Sequence, residues 1–191
     1  TGIGGPSAAI ALEELVKIGG KYFIRVGTFG GINMKVKAGD IVCPVAMIRQ
    51  EGTSREYAPV EYPATGDFEV MVAIFDAFAN MEIEEGRNIH FGVAQSKDSF
   101  YGQHSPDKSP VFYELLNKWE SWKKLGVLAS EMETAALYTV GAALNVSCAS
   151  ILSVLWNQER KKAGIIEKDC MDSELAIMLA VETIKKLIRT K

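Results

Sequence analysis

Four short apolar runs, at residues 22–26, 40–48, 88–94 and 146–156, alternate along the chain with amphipathic stretches of helical period. Each run ends in glycine or a polar loop, which reads as a buried strand. Strands alternating with helices restrict the chain to an α/β sheet architecture, where ligands collect at the strand ends. The spacing predicts helices over 6–18, 68–81, 110–124, 131–144 and 172–188. Pro6 opens the first helix and Gly19-Gly20 stop it. Residues 27–31 read as a glycine turn, and 50–65, 95–108 and 157–168 as loops, with Glu159 and Arg160 solvated. No repeat, low-complexity tract or linker interrupts the chain, so 1–191 reads as a single domain.

Composition narrows the function. The chain is 48% hydrophobic and 24% charged, the balance of a soluble globular protein, and no apolar stretch is long enough to span a membrane. A net charge of −3 argues against a nucleic-acid surface, although a small anion needs only one or two well-placed cations. Cys43, Cys148 and Cys170 are widely spaced, form no C-x-x-C pair and read as small hydrophobes in a reducing cytoplasm. With His90 and His104 the sole histidines, no metal site is expected. The chain opens on Thr1, inside a glycine motif, and this start predicts missing upstream residues.

Three clusters carry chemistry. Arg25-Val26-Gly27-Thr28 sets a guanidinium at a strand end before a turn and a hydroxyl. Such a fork of donors suits an anion, although an arginine at a strand end more often makes a surface ion pair. Glu131-Met132-Glu133 follows Ser130, an N-cap residue, at the expected start of a helix. Its acids either complement the helix dipole or accept the paired hydroxyls of a sugar, with Met132 under the ring. Phe100-Tyr101-Gly102-Gln103-His104 is either an ordinary polar loop or a base reader. The Gln103 amide suits the O=C–N–H edge of a pyrimidine, and Phe100 suits stacking on a flat base.

In order, Gly4-Gly5-Pro6-Ser7, Arg25-Val26-Gly27-Thr28, Asp98-Ser99-Phe100-Tyr101-Gly102-Gln103 and Glu131-Met132-Glu133 resemble the uridine phosphorylases of the nucleoside phosphorylase family. The loop Ala58-Pro59-Val60-Glu61-Tyr62-Pro63 is also similar. The resemblance implies a phosphorylase/hydrolase-like α/β fold: a central mixed β-sheet flanked by helices, with the N-terminal strands missing. It implies a pentosyltransferase of pyrimidine salvage that converts uridine and phosphate to uracil and ribose 1-phosphate. Carried over, Arg25 and Thr28 hold phosphate. Glu133 binds the ribose hydroxyls with Glu131 beside them, Met132 packs on the sugar, Phe100 lies near the base, and Gln103 reads the uracil edge.

Better-known bacterial members carry an arginine two residues beyond the glutamine, where this chain has Ser105. Lys97 or His104 is therefore expected to supply the base-side cation, with Arg160 a further candidate. Purine-specific relatives place an aspartate after the last central strand. Leu155-Trp156-Asn157-Gln158 offers none, which favours a pyrimidine. The family's N-terminal phosphate loop, and the histidine and arginine it lends to a neighbouring subunit, are expected upstream of Thr1. The resemblance further implies no cofactor, phosphate as co-substrate, and homodimers that combine into hexamers. It places a monovalent cation at the dimer interface near Ile3 and Ser7. Three other readings stay open: a purine nucleoside phosphorylase, a nucleosidase of the same fold, and a truncated non-catalytic nucleoside-binding homologue.

Overall fold

The apolar runs become strands, most of them longer than the pattern indicated. A computed structural model describes residues 1–83 and 85–189. Its strands are β1 (Tyr22–Gly31), β2 (Ile41–Gln50), β3 (Ala64–Thr65), β4 (Ile89–Lys97), β5 (Ala129–Glu131) and β6 (Ser147–Asn157). They form one sheet in the order β3-β2-β4-β5-β1-β6. Pairs β2–β4, β4–β5 and β1–β6 are parallel, whereas β1–β5 and β2–β3 are antiparallel. In addition β2 meets β6 antiparallel, Ile41 opposite Ser153 and Val42 opposite Leu152. The mixed sheet thereby curls into a partial barrel.

The helices are α1 (Gly5–Lys17), α2 (Phe68–Ala79), α3 (Phe100–His104), α4 (Phe112–Lys124), α5 (Thr134–Ala143), α6 (Gln158–Lys162) and α7 (Glu174–Arg189). Helix α1 packs on α5, and α2 on α7. One core joins Ala9 and Leu12 of α1 to Leu137 and Val140 of α5 and to Leu152 and Val154 of β6. A second joins Val70 and Ile74 of α2 to Ala176 and Leu179 of α7 and to Ala149 and Ile151 of β6. Withdrawing a Leu or Ile side chain from water contributes about 1.5–3 kcal/mol, so these two layers of helix hold the sheet closed. Among the described residues no helix is long and apolar enough to cross a membrane.

Several expectations are corrected. Residues 27–31 form no turn: they continue β1, paired with β6 and, at Gly30 and Gly31, with β5. Arg25 thus lies within a strand rather than at its end. Glu131 closes β5 instead of opening a helix, and α5 starts at Thr134. The stretch 95–108 contains the end of β4 and then α3, whose first turn is capped by Ser99 Oγ accepting from Gly102 N. The expected loop at 157–168 contains α6. The loop at 50–65 holds a 3-10 turn and the short β3. Arg49 fixes it by donating to the carbonyls of Ser54, Ala58, Pro59 and Tyr62.

Candidate active site

Strands β1, β4, β5 and β6 converge with α3 and the entry to α5 on a cavity of about 300 Å³. Every residue picked out from sequence for phosphate, ribose or base lines this cavity except Gln103 and Arg160. Arg25 and Thr28 come from β1, Lys97 from the end of β4, Glu131 from β5, and Phe100 and His104 from α3. Met132 and Glu133 come from the turn into α5.

Arg25 meets two carboxylates. Its Nη2 donates to Glu133 Oε2 at 2.5 Å, while Nη1 lies 3.3 Å from Glu131 Oε2 and makes no hydrogen bond among the described residues. Gly27 makes room for this side chain. A β-carbon at position 27 would lie 2.8 Å from Arg25 Nη1 and 3.0 Å from its Cζ. The other oxygen of Glu133 accepts from Gly4 N at 2.6 Å, which ties the start of α1 to the site.

Glu131 organises the strand-to-helix corner. Its carboxylate accepts from Ser96 Oγ, from the backbone N–H groups of Glu133 (2.8 Å) and Thr134 (2.9 Å), and from Thr134 Oγ1 (3.0 Å). The acid therefore caps α5, the task expected of Ser130. Burial pushes the Glu131 carboxyl above the ordinary carboxylate range, and the charge of Arg25 and the Ser96 hydrogen bond oppose that rise.

Ser130 instead joins a buried chain. Lys97 Nζ donates to Ser130 Oγ at 2.6 Å, and Ser130 Oγ donates to Gln103 Oε1 at 2.9 Å. Gln103 Nε2 in turn donates to Gln158 Oε1 at 3.3 Å. Gln103 thus lies behind the cavity wall and lines a smaller space of about 180 Å³ with Trp119 and Trp122. Burial lowers the Lys97 ammonium to about 8, against the attraction of Glu131 and Glu133. Burial, and then the charge of Lys97, lower His104 as well, so its imidazole is neutral at pH 7.

Two flanking charges are engaged elsewhere. Arg160 donates to Glu167 at 2.8 Å and to Met34 O at 2.6 Å, and it does not line the cavity. Glu159, expected in solvent, is buried; it accepts from Trp119 Nε1 and pairs with Lys123 and Lys162. Ile3 lines the cavity, and Ser7 lies in α1. Sequence reasoning missed Leu155 and Trp156 as lining residues. Regular strand alternation would turn one of two successive side chains away, so no pattern in the sequence marks both.

Comparison with known proteins shows the family. A family profile described as the Phosphorylase superfamily matches residues 1–190. The chain is 47% identical over 188 residues to a uridine phosphorylase of Treponema pallidum (strain Nichols), covering 98% of this chain and 71% of that protein. It is 34% identical over 191 residues to a uridine phosphorylase of Escherichia coli (strain K12), covering 98% and 74%. It is also 34% identical over 154 residues to a guanosine phosphorylase of Halorubrum lacusprofundi, covering 81% and 58%. With a family profile over residues 1–190 and uridine phosphorylases matched across 98% of its length, the chain belongs to the nucleoside phosphorylases of the phosphorylase superfamily.

Proposed function

We propose that the protein cleaves uridine with phosphate, releasing uracil and ribose 1-phosphate. The observation that carries this reading is the Arg25–Glu133 pair. It joins a group suited to phosphate and a group suited to ribose hydroxyls within one cavity. Phosphate takes Arg25 and the Thr28 hydroxyl, while the ribose 2′- and 3′-hydroxyls take Glu133, so the two substrates separate the pair. Met132 and Phe100 pack on sugar and base. A phosphate oxygen then bonds to C1′ as the C1′–N1 bond breaks and its electron pair passes to uracil. Charge develops on the sugar ring and the base in opposite senses. Held phosphate stabilises the first, and a cation beside the base stabilises the second.

Lys97 suits that cation and His104 does not, because the ammonium is charged at neutral pH and the imidazole is not. In this reading Gln103 sets the Ser130 hydroxyl that holds Lys97, and it reaches the uracil edge only by leaving Gln158. Asn157 supports a pyrimidine over a purine. Both ends of its amide are committed to backbone groups, and it supplies no acid to a purine ring.

The deciding experiment is product analysis on the natural full-length protein. Ribose 1-phosphate should form from uridine only when phosphate is present, and faster than from inosine. Free ribose formed without phosphate would overturn phosphorolysis, and preference for inosine would overturn the pyrimidine assignment.

A further inference from the structure

Leu155 and Trp156 are successive residues of β6, yet both line the cavity. In a regular strand they would face opposite ways. The register explains the exception: Phe29 pairs with Val154 and Gly30 with Trp156, which leaves Leu155 as an extra residue. Such a bulge re-aims the side chains around it. This one is braced on both sides. The carbonyl of Leu155 accepts from Cys170 N at 2.8 Å, and Val154 N donates to Asp40 O at 2.8 Å. On the far side Asn157 Nδ2 donates to the carbonyls of Asn33 and Val36.

The indole so presented meets little from the facing strand. Gly30 carries no side chain, and a β-carbon there would already touch Trp156 Nε1 at 3.6 Å. His104 stands edge-on to the indole at 5.7 Å, and Phe100 lies 4.3 Å from His104, so three rings gather here. Gly30 is five residues along β1 from Arg25, but the Arg25 guanidinium reaches to Gly27, three residues or roughly 10 Å of strand from Gly30. The Arg25–Glu133 pair and the three rings therefore lie at different points along β1, with Lys97 near His104. At about 300 Å³ the whole cavity is at the lower limit of ordinary ligand pockets.

We propose that Trp156 is the specificity-determining wall of the base end, closing the site to a single ring and stacking on it. This rests on the phosphorolytic reading above, and its test separates the two. In the full-length protein, Trp156→Ala should raise the KM for uridine about tenfold, the effect of losing one base–aromatic stack. The KM for phosphate should not change. With the end opened, the inosine-to-uridine ratio of kcat/KM should rise about tenfold. Uracil should quench tryptophan emission in the parent protein, and Trp156→Phe should lose that quenching. That optical test needs neither turnover nor the alanine variant to fold. An unchanged selectivity ratio in Trp156→Ala, or undiminished quenching in Trp156→Phe, would overturn the proposal. If the parent makes no ribose 1-phosphate, the reaction assignment falls, whereas the quenching result still decides whether Trp156 covers a bound base.

Discussion

Below about pH 8 Lys97 carries its charge at the cavity wall, and above it burial has stripped the proton. Because the pKa is lowered, the protonated form is lost as pH rises through that value. Accordingly, kcat/KM for uridine should fall on the alkaline side with a midpoint near 8. Lys97→Arg should carry activity past this limb, since guanidinium stays charged. A parent profile flat through this pH would remove Lys97 from the role. Gly27 gives a second residue-scale prediction. Gly27→Ala drives a β-carbon into the Arg25 guanidinium, so the KM for phosphate should rise about tenfold or more. An unchanged phosphate KM in steady-state kinetics would disprove the steric argument. Most of this site could be read from motifs, because Arg25, Thr28, Phe100 and Glu133 each stand in a short ordered string. Gln103 and Trp156 could not. The direction of an amide and the presence of a bulge depend on neighbours distant in the chain.

At the scale of elements, the joint between β5 and α5 depends on one acid. Glu131 closes the strand, receives the amides of Glu133 and Thr134 at the helix entry and binds Ser96 of β4. Glu131→Gln removes the charge from a buried acceptor with several donors. Stability should fall by about 2 kcal/mol, read as a lower denaturant midpoint at unchanged slope. No shift in the midpoint would mean that water or Glu133 takes over the cap. The long strands and helices were readable because their apolar period persists over many residues. Helices α3 and α6, five residues each, are too short to express a helical period, so their polar sequences passed for loops. Ser130 misled for a related reason. It has the chemistry of a cap, but the strand continues through it and the next side chain does the capping.

For the molecule as a whole, α/β alternation was legible, whereas the closure of β2 on β6 was not. That pairing joins residues 41–42 to 152–153, and no local propensity records it. Its consequence lies in how the molecule opens. Strand β6 is hydrogen-bonded to β1 along one edge and to β2 along part of the other, and both cores pack on its side chains. No partial opening frees it without dismantling both helical layers. In deuterated water, amides around Ile151 and Leu152 should exchange last, at the rate set by global unfolding, while those of α3 and α6 exchange early. Early exchange in the middle of β6 would show that the ring breathes at its seam. The seam is then a clock for the whole fold: the strand that presents Leu155 and Trp156 to the cavity should be the last to lose its protons.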